Sequence, residues 1–220
     1  MIRNILFDIG GVLVDLEVKR TLSAMKHFID PQLAKQNNMV TADGLLGGHD
    51  SPLIDLYQTG EISTEDFMRQ VLSVCMPGTN SDAIKAAWYA MLLGSSREVQ
   101  ILWQRLQEKG YTLYILSNIN DLHAEWVLEN CPFMDEAKQR FFSNEMHLAK
   151  PDLRCYQYVI EHAGILPEET LYVDDLLPNI EAGKAAGFQT IHAVGRGWRQ
   201  QLRDLPNMNP NNYPLTCLGH

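Results

Sequence analysis

The sequence predicts an α/β protein: a doubly wound, Rossmann-like parallel sheet of about five strands, with one helical insertion. Three observations predict it. Short apolar runs ending in polar or charged residues recur along the chain, helix-like stretches that stop at glycine stand between them, and the alternation breaks off once, between Asp15 and about Leu93. Near-continuous apolar strands belong to parallel sheets covered by helices on both faces, where ligands bind at the carboxyl ends of the strands.

The first run, Asn4-Ile5-Leu6-Phe7, closes on Asp8, with Gly10-Gly11 just beyond. An ionised carboxylate at the end of a buried strand is costly unless partnered. An aspartate shortly before glycine is also ordinary turn chemistry, so Asp8 takes its meaning from similar sites further along. After Asp15 the chain reads as several helices joined by short breaks. One starts at Ser63, which can cap it, with Glu65 and Asp66 at its positive end and Phe67, Val71, Leu72 and Val74 as its apolar face. Another, from about Asp82 to Leu93, carries Trp88 and Met91 back to the sheet, with Trp88 and Tyr89 read as core packing. Gly44 to Pro52 holds too many glycines for a helix and reads as a loop able to help cover a site.

Beyond the insertion, Val99 to Lys109 forms a helix stopped by Gly110, and Tyr111 to Leu116 a strand running into Ser117-Asn118. A weaker strand, Arg140-Phe141-Phe142, precedes Lys150-Pro151. Leu153 to Ala163 is a helix ending at Gly164, and Thr170 to Val173 a strand running into Asp174-Asp175. A last helix, Asn179 to Ala186, stops at Gly187 before the strand Gln189 to Val194. Glycine just past a helix is the expected left-handed cap. Residues 1–15 and 93–204 thus form the sheet unit, 16–92 the insertion, and 205–220, rich in Pro and Asn, a surface or frayed tail. Asp8, Ser117 and the Asp174-Asp175 pair then share one crevice.

At 220 residues and 45% hydrophobic, the chain can bury one substantial core and carry a sizeable insertion. A formal charge of -9 counts against binding nucleic acid or an anionic membrane, both of which need clustered Lys and Arg. The absence of a long apolar run and of a signal peptide points to a cytoplasmic protein. Cys75, Cys131, Cys155 and Cys217 are scattered, without a Cys-x-x-Cys pair, and read as reduced thiols.

The motifs Phe7-Asp8-Ile9-Gly10-Gly11-Val12, Leu116-Ser117-Asn118, Lys150-Pro151 and Val173-Asp174-Asp175, with Asn179 following, resemble those of the haloacid dehalogenase superfamily of aspartate-nucleophile hydrolases. The likeness spans nearly all of the sheet-forming sequence. The insertion after Asp8 looks like that family's small helical cap. Within the family, Asp8-Ile9-Gly10 and Ser117-Asn118-Ile119-Asn120-Asp121-Leu122-His123 resemble the branch of sugar-phosphate phosphatases that hydrolyse glucose 1-phosphate.

The resemblance implies a phosphatase acting on a small phosphorylated metabolite, with Asp8 as nucleophile. A carboxylate attacking a phosphate ester brings two anions together, and at about 4 Å their repulsion is about 1 kcal/mol in water and about 4 kcal/mol at an effective dielectric of about 20. A cation is needed. Asp8 with Asp175, and Asp174 in some arrangements, offer the hard oxygens that Mg²⁺ prefers. Lys150, Ser117 and the backbone near Asn118 would hold phosphoryl oxygens. Asp174 could equally hold Lys150 in place, and Asn179 is either an outer partner or a polar residue of its helix's first turn. Many members of the superfamily have a general-acid aspartate two residues after the nucleophile, where this chain has Gly10, whose carbonyl can still ligate the metal. Losing a positioned proton donor costs about 10² to 10⁴ in rate. His49 and His123 are conceivable replacements.

Three other readings compete. Dehalogenation would use Asp8 against carbon without a metal, so the aspartate pair argues against it. An inert phosphate-binding regulatory module would bind metal without turnover. A nucleotide-dependent oxidoreductase lacks its Gly-x-Gly-x-x-Gly loop. The sequence does not state the oligomeric state.

Overall fold

The structure, a computed structural model, describes residues 1–36, 52–195 and 197–208. Most of the expected Gly44 to Pro52 loop, His49, Cys217 and the tail beyond Met208 lie outside the described residues. Five parallel strands stand at the centre: β1 (Asn4–Phe7), β2 (Thr112–Ser117), β3 (Gln139–Phe142), β4 (Thr170–Asp174) and β5 (Gln189–His192), in the order β3-β2-β1-β4-β5. Phe7 pairs with Ile115 of β2 and Val173 of β4, so Asp8 is level with Leu116 and Asp174, one residue short of Ser117. Neighbouring strands run about 5 Å apart, which brings three strand ends within reach of one ligand.

The apolar runs are continuous because both faces of the sheet are buried. Ile5, Phe7, Leu113, Ile115 and Val173 pack on one side with Trp103 and Leu106 of α6 (Arg97–Glu108) and Val127 of α7 (Asp121–Asn130). Leu6, Tyr114, Leu116 and Tyr172 pack on the other with Tyr156 and Val159 of α9 (Leu153–Ala163) and Ile180 of α10 (Leu177–Ala185). Between these helices lies the single turn of α8 (Ser143–Met146), and α11 (Gly197–Arg203) follows β5. Each large aliphatic side chain buried in this way contributes about 1.5–3 kcal/mol. The expected helix-ending glycines, Gly110, Gly164 and Gly187, all have positive φ.

The insertion is helical. Its described helices are α1 (Val18–Met25), α2 (Pro31–Gln36), α3 (Pro52–Gln58), α4 (Thr64–Leu72) and α5 (Ser81–Tyr89). They enclose a separate apolar cluster of Met25, Tyr57, Phe67, Val71, Ile84 and Trp88, joined by Leu122 from α7. Ser63 caps α4 as expected, accepting from the Asp66 N–H at 3.1 Å. The helix expected to run from about Asp82 to Leu93 stops at Tyr89. Residues beyond it are needed for backbone pairing: Glu17 N–H donates to Met91, Leu93 N–H to Asp15, and Asp15 N–H to Gly94. The outgoing and returning chains therefore clasp each other where the sheet unit meets the insertion.

Cys75, Cys131 and Cys155 are free, buried thiols. The described start of the tail, residues 205–208, lies half-buried to exposed and is tied to the sheet unit. Lys109 donates to the Leu205 carbonyl, Tyr111 to that of Pro206, and Met208 N–H to Lys109. No described helix is long and apolar enough to cross a membrane.

Gly183 of α10 lies against the fully buried Tyr172 ring, and a Cβ there would sit 2.6 Å from Cδ1. Overpacking so tight a contact costs about 1–3 kcal/mol. Gly183→Ala is expected to lower the urea midpoint accordingly, and an unchanged midpoint would show that the helix is free to move outward.

Candidate active site

The site grows from the carboxyl ends of β1, β2 and β4. After Phe7 the chain leaves the sheet in a tight turn in which the Ile9 carbonyl accepts from the N–H groups of Val12, Leu13 and Val14. Gly11 sits in that turn at φ 69°, and a Cβ on it would lie 2.4 Å from Asp175 Oδ2, so only glycine lets the two segments meet. Asp8 is 7% exposed and points into the crevice.

Lys150 is the centre of the constellation. Its ammonium donates to Asp8 Oδ1 and Asp174 Oδ2, both at 2.7 Å, and to the Leu116 carbonyl at 3.1 Å, using all three protons. Its main chain is clamped by Asn118, whose Oδ1 accepts from Lys150 N–H and whose Nδ2 donates to the Lys150 carbonyl, each at 2.8 Å. Burial alone would strip Lys150 of its proton, but the two carboxylates outweigh it and hold the group firmly charged. The Asn118 side chain is therefore occupied with positioning, which leaves its backbone for any phosphate contact.

Asp174 is fully buried and saturated. Besides Lys150 it accepts from Tyr172 OH at 2.5 Å, from Leu176 N–H at 2.8 Å and from Asn179 Nδ2 at 3.0 Å. Burial raises this carboxyl, and Lys150 with the other donors more than reverses that, holding it below its ordinary value. Asn179 thus serves Asp174, one of the two roles its position allowed. Asp175 faces the cleft with no donor from another described side chain, and burial with the neighbouring Asp174 charge pushes it up. Burial likewise raises Asp8 to about 6, against the lowering pull of Lys150.

Carboxylate oxygens of Asp8, Asp174 and Asp175 lie within 4.8 Å of one another. Among the described residues, Asp8 keeps one oxygen unbonded, the Asp175 side chain has no donor from another side chain, and the Gly10 carbonyl accepts no backbone N–H. Three carboxylates against one ammonium leave an excess of two negative charges. A divalent, oxygen-seeking cation fits this set, and Mg²⁺ is such a cation.

The cleft has a volume of about 420 Å³. Ser117 Oγ opens onto it, buried and without a partner among the described residues. The wall supplied by the insertion is mostly hydrocarbon, from Leu16, Val18, Leu22, Ile54 and Met91 among others, with Thr21 and Gln58 as polar members. Trp88 belongs to the insertion's core, as expected, and also lines the cleft. His123 is no proton donor: burial lowers it to about 4, Nε2 donates to the Trp88 carbonyl at 3.2 Å, and Nδ1 accepts from Asn120 Nδ2 at 3.3 Å. A side chain at Gly10 would meet Leu16, whose Cδ1 is 2.8 Å from the Cβ position. Sequence reasoning passed over Tyr172 and Gln58, because a tyrosine inside a strand and an amide at a helix end carry no motif of their own, and it quoted Asn120 within a motif without giving it a role.

A family model described as haloacid dehalogenase-like hydrolase matches residues 2–187. Among curated proteins, D-ribitol-5-phosphate phosphatase of Bacteroides thetaiotaomicron is 30% identical over 94% of this chain and 100% of its own. Sesquiterpene phosphatase of Aspergillus oryzae is 26% identical over 85% of this chain and 87% of its own. A crystal structure of a haloacid dehalogenase family enzyme from Bacteroides thetaiotaomicron, complexed with magnesium and inorganic phosphate, superposes with a TM-score of 0.76 at 28% identity, covering 89% of this chain and 97% of that one.

Gly11→Ala is expected to push Asp175 out of place and weaken Mg²⁺ binding by about 10- to 100-fold. Magnesium titration of the protein's thermal stability measures it, and unchanged affinity would remove Asp175 from the metal site. A second expectation concerns pH. Folded Asp8 keeps its proton to about pH 6, whereas an ordinary aspartate releases it near 3.8, so the metal-free fold loses stability as pH rises through that interval. Mg²⁺ needs the carboxylate, so it should raise the melting temperature more at about pH 8 than at about pH 5. Equal shifts at both would contradict it.

Proposed function

The chain belongs to the haloacid dehalogenase-like hydrolases and is an Mg²⁺-using hydrolase of phosphoric monoesters, and we propose that it cleaves a small sugar or polyol phosphate through an aspartyl-phosphate on Asp8. The observation that carries the reading is the Asp8 carboxylate, tied by one oxygen to Lys150 and open to the cleft by the other, beside a free Asp175. The D-ribitol-5-phosphate phosphatase relative supports the substrate class.

In the first step an Asp8 oxygen attacks phosphorus and the bond to the ester oxygen breaks, releasing the alcohol. In the second, water attacks the same phosphorus, returning Asp8 and freeing phosphate. Lys150 holds Asp8 at one oxygen, so the other is presented without a search through rotamers. Its charge also offsets the repulsion between carboxylate and phosphate. Ser117 Oγ and the Asn118 backbone N–H, from residues that line the cleft, would donate to phosphoryl oxygens as charge moves onto them. Mg²⁺ held by Asp8, Asp175 and the Gly10 carbonyl would supply neutralising charge and polarise the ester. Asp174, saturated by four protein donors, orients Lys150 and does not serve as a ligand. Residues 16–92 act as the cap over this crevice and carry substrate selectivity, since the strand ends reach only the phosphate.

Apart from the carboxylates given to attack and to the metal, no described side chain in the cleft is a general acid near neutral pH: the unpaired Ser117 hydroxyl and Gln58 amide are too weakly acidic, so the alcohol takes its proton from solvent or from the substrate's own hydroxyls. A second reading, the phosphate of an apolar alcohol, draws on the hydrocarbon wall and on the sesquiterpene phosphatase relative.

Phosphate release from a panel of sugar, polyol and alkyl phosphates, with and without Mg²⁺, tests the proposal against Asp8→Asn. Turnover that needs both the metal and Asp8, and that favours hydroxylated esters, is the expected result. Metal binding without release from any ester would turn the reading to an inert phosphate-binding module, and metal-independent release of halide from 2-haloacids to a dehalogenase.

A further inference from the structure

The polar groups on the leaving-group side of the cleft are almost all engaged by the protein itself. Thr21 Oγ1 donates to the Trp88 carbonyl at 3.1 Å and accepts from Met91 N–H at 3.0 Å. Asn120 Oδ1 accepts from Trp88 Nε1 and His123 N–H, and its Nδ2 and both ring nitrogens of His123 are bonded as well. Gln58, the last residue of α3, also lines the cleft, and its side-chain amide has no hydrogen bond to any described residue.

Gln58 is held in place by the sheet unit. Ser143 Oγ donates to the Gln58 carbonyl at 2.6 Å while accepting from Ile119 N–H at 2.9 Å, so one hydroxyl joins Gln58 to the loop that carries Ser117 and Asn118. His147 Nδ1 donates to the Thr59 carbonyl at 2.8 Å. Gly60, at φ 68°, lies so close to Asn144 that a Cβ there would be 2.1 Å from its carbonyl oxygen. The end of α3 is thus bolted at a set distance from the phosphate loop, and an amide on such a mount is pre-organised to meet one atom of a ligand.

We propose that Gln58 is a specificity-determining residue: its amide hydrogen-bonds a hydroxyl of the leaving alcohol while the carbon skeleton lies against the apolar wall of Leu16, Ile54 and Met91. This deepens, and rests on, the phosphatase reading. An amide can both donate and accept, which suits a hydroxyl. Among the described cleft residues the one cation, Lys150, has all its protons in use, so the site selects alcohols that are uncharged apart from the phosphate.

The test compares a polyol monophosphate with an alkyl monophosphate of the same chain length, measuring kcat/KM for each with the wild-type chain and with Gln58→Leu. The ratio of polyol to alkyl activity is expected to fall about tenfold in the variant, the effect of one lost neutral hydrogen bond at the upper end of its usual range. Most of the fall should appear in KM, and Gln58→Asn, which keeps the amide on a shorter stem, should recover part of it. A folding defect lowers both activities and leaves the ratio alone. An unchanged ratio in both variants, with wild-type turnover intact, overturns the assignment of Gln58 and spares the phosphatase reading. Wild-type turnover of neither ester overturns both.

Discussion

Everything at this site depends on one buried ammonium. Lys150 lies between Asp8 and Asp174 at 2.7 Å from each, with its third proton on the Leu116 carbonyl. Taking an ion pair out of water costs more than its attraction returns unless every remaining proton and lone pair is used. Here they are used. The levelling of β1 against β2 and β4 puts Asp8, the Leu116 carbonyl and Asp174 on three neighbouring strand ends, and Asn118 sets the Lys150 backbone before the side chain crosses to them. The parallel sheet is in this sense the instrument that makes a buried lysine tolerable.

From that arrangement follows the different work of two adjacent aspartates. Successive residues at the end of a strand point to opposite sides. Asp174 turns inward, where Lys150, Tyr172, Leu176 and Asn179 take all its lone pairs. Asp175 turns to the cleft and remains open. The same charge on neighbouring residues thus fixes a lysine in one case and lies open to the cleft in the other. Asp174 offsets the lysine's charge, and the negative charge left over on Asp8 and Asp175 makes them the ligands we propose for Mg²⁺.

Much of this was legible in the sequence, for a physical reason. A strand buried on both faces must be apolar throughout, so a polar or charged residue at its end stands out, as Asp8, Ser117 and Asp174-Asp175 do. What escaped were the groups whose role is set by contact and not by pattern. Tyr172 is one more aromatic residue in an apolar strand until its hydroxyl is found on Asp174. The contact of Asp174 with Lys150 depends on which way one side chain points, which spacing alone does not show. The stop of α5 at Tyr89 was hidden because Met91 and Leu92 continue an apolar pattern while their backbone is drawn into pairing with Leu16 and Glu17. Gln58 carries no signal at all, being an ordinary helix-end glutamine that a serine more than eighty residues later holds beside the phosphate loop.

The missing side chain at Gly10 also acquires a structural cause. Its place is taken by Leu16, from the clasp that joins the sheet unit to the insertion, so the wall of the leaving-group cleft begins where other relatives of the superfamily resemblance would set an acid. A carboxyl introduced there would have to displace a hydrocarbon side chain first. Leaving-group protonation therefore cannot be treated as a function deleted from an otherwise unchanged site: Leu16 fills the space, and in the reaction we propose it would meet the alcohol there. Such an exchange gives up about 10² to 10⁴ of rate from a positioned acid. In the proposed reaction it would return binding of the alcohol's carbon skeleton, at about 0.8 kcal/mol for each methylene removed from water. Substrates whose own hydroxyls stand near the ester oxygen lose least by it, since they carry a proton relay into a wall that has none.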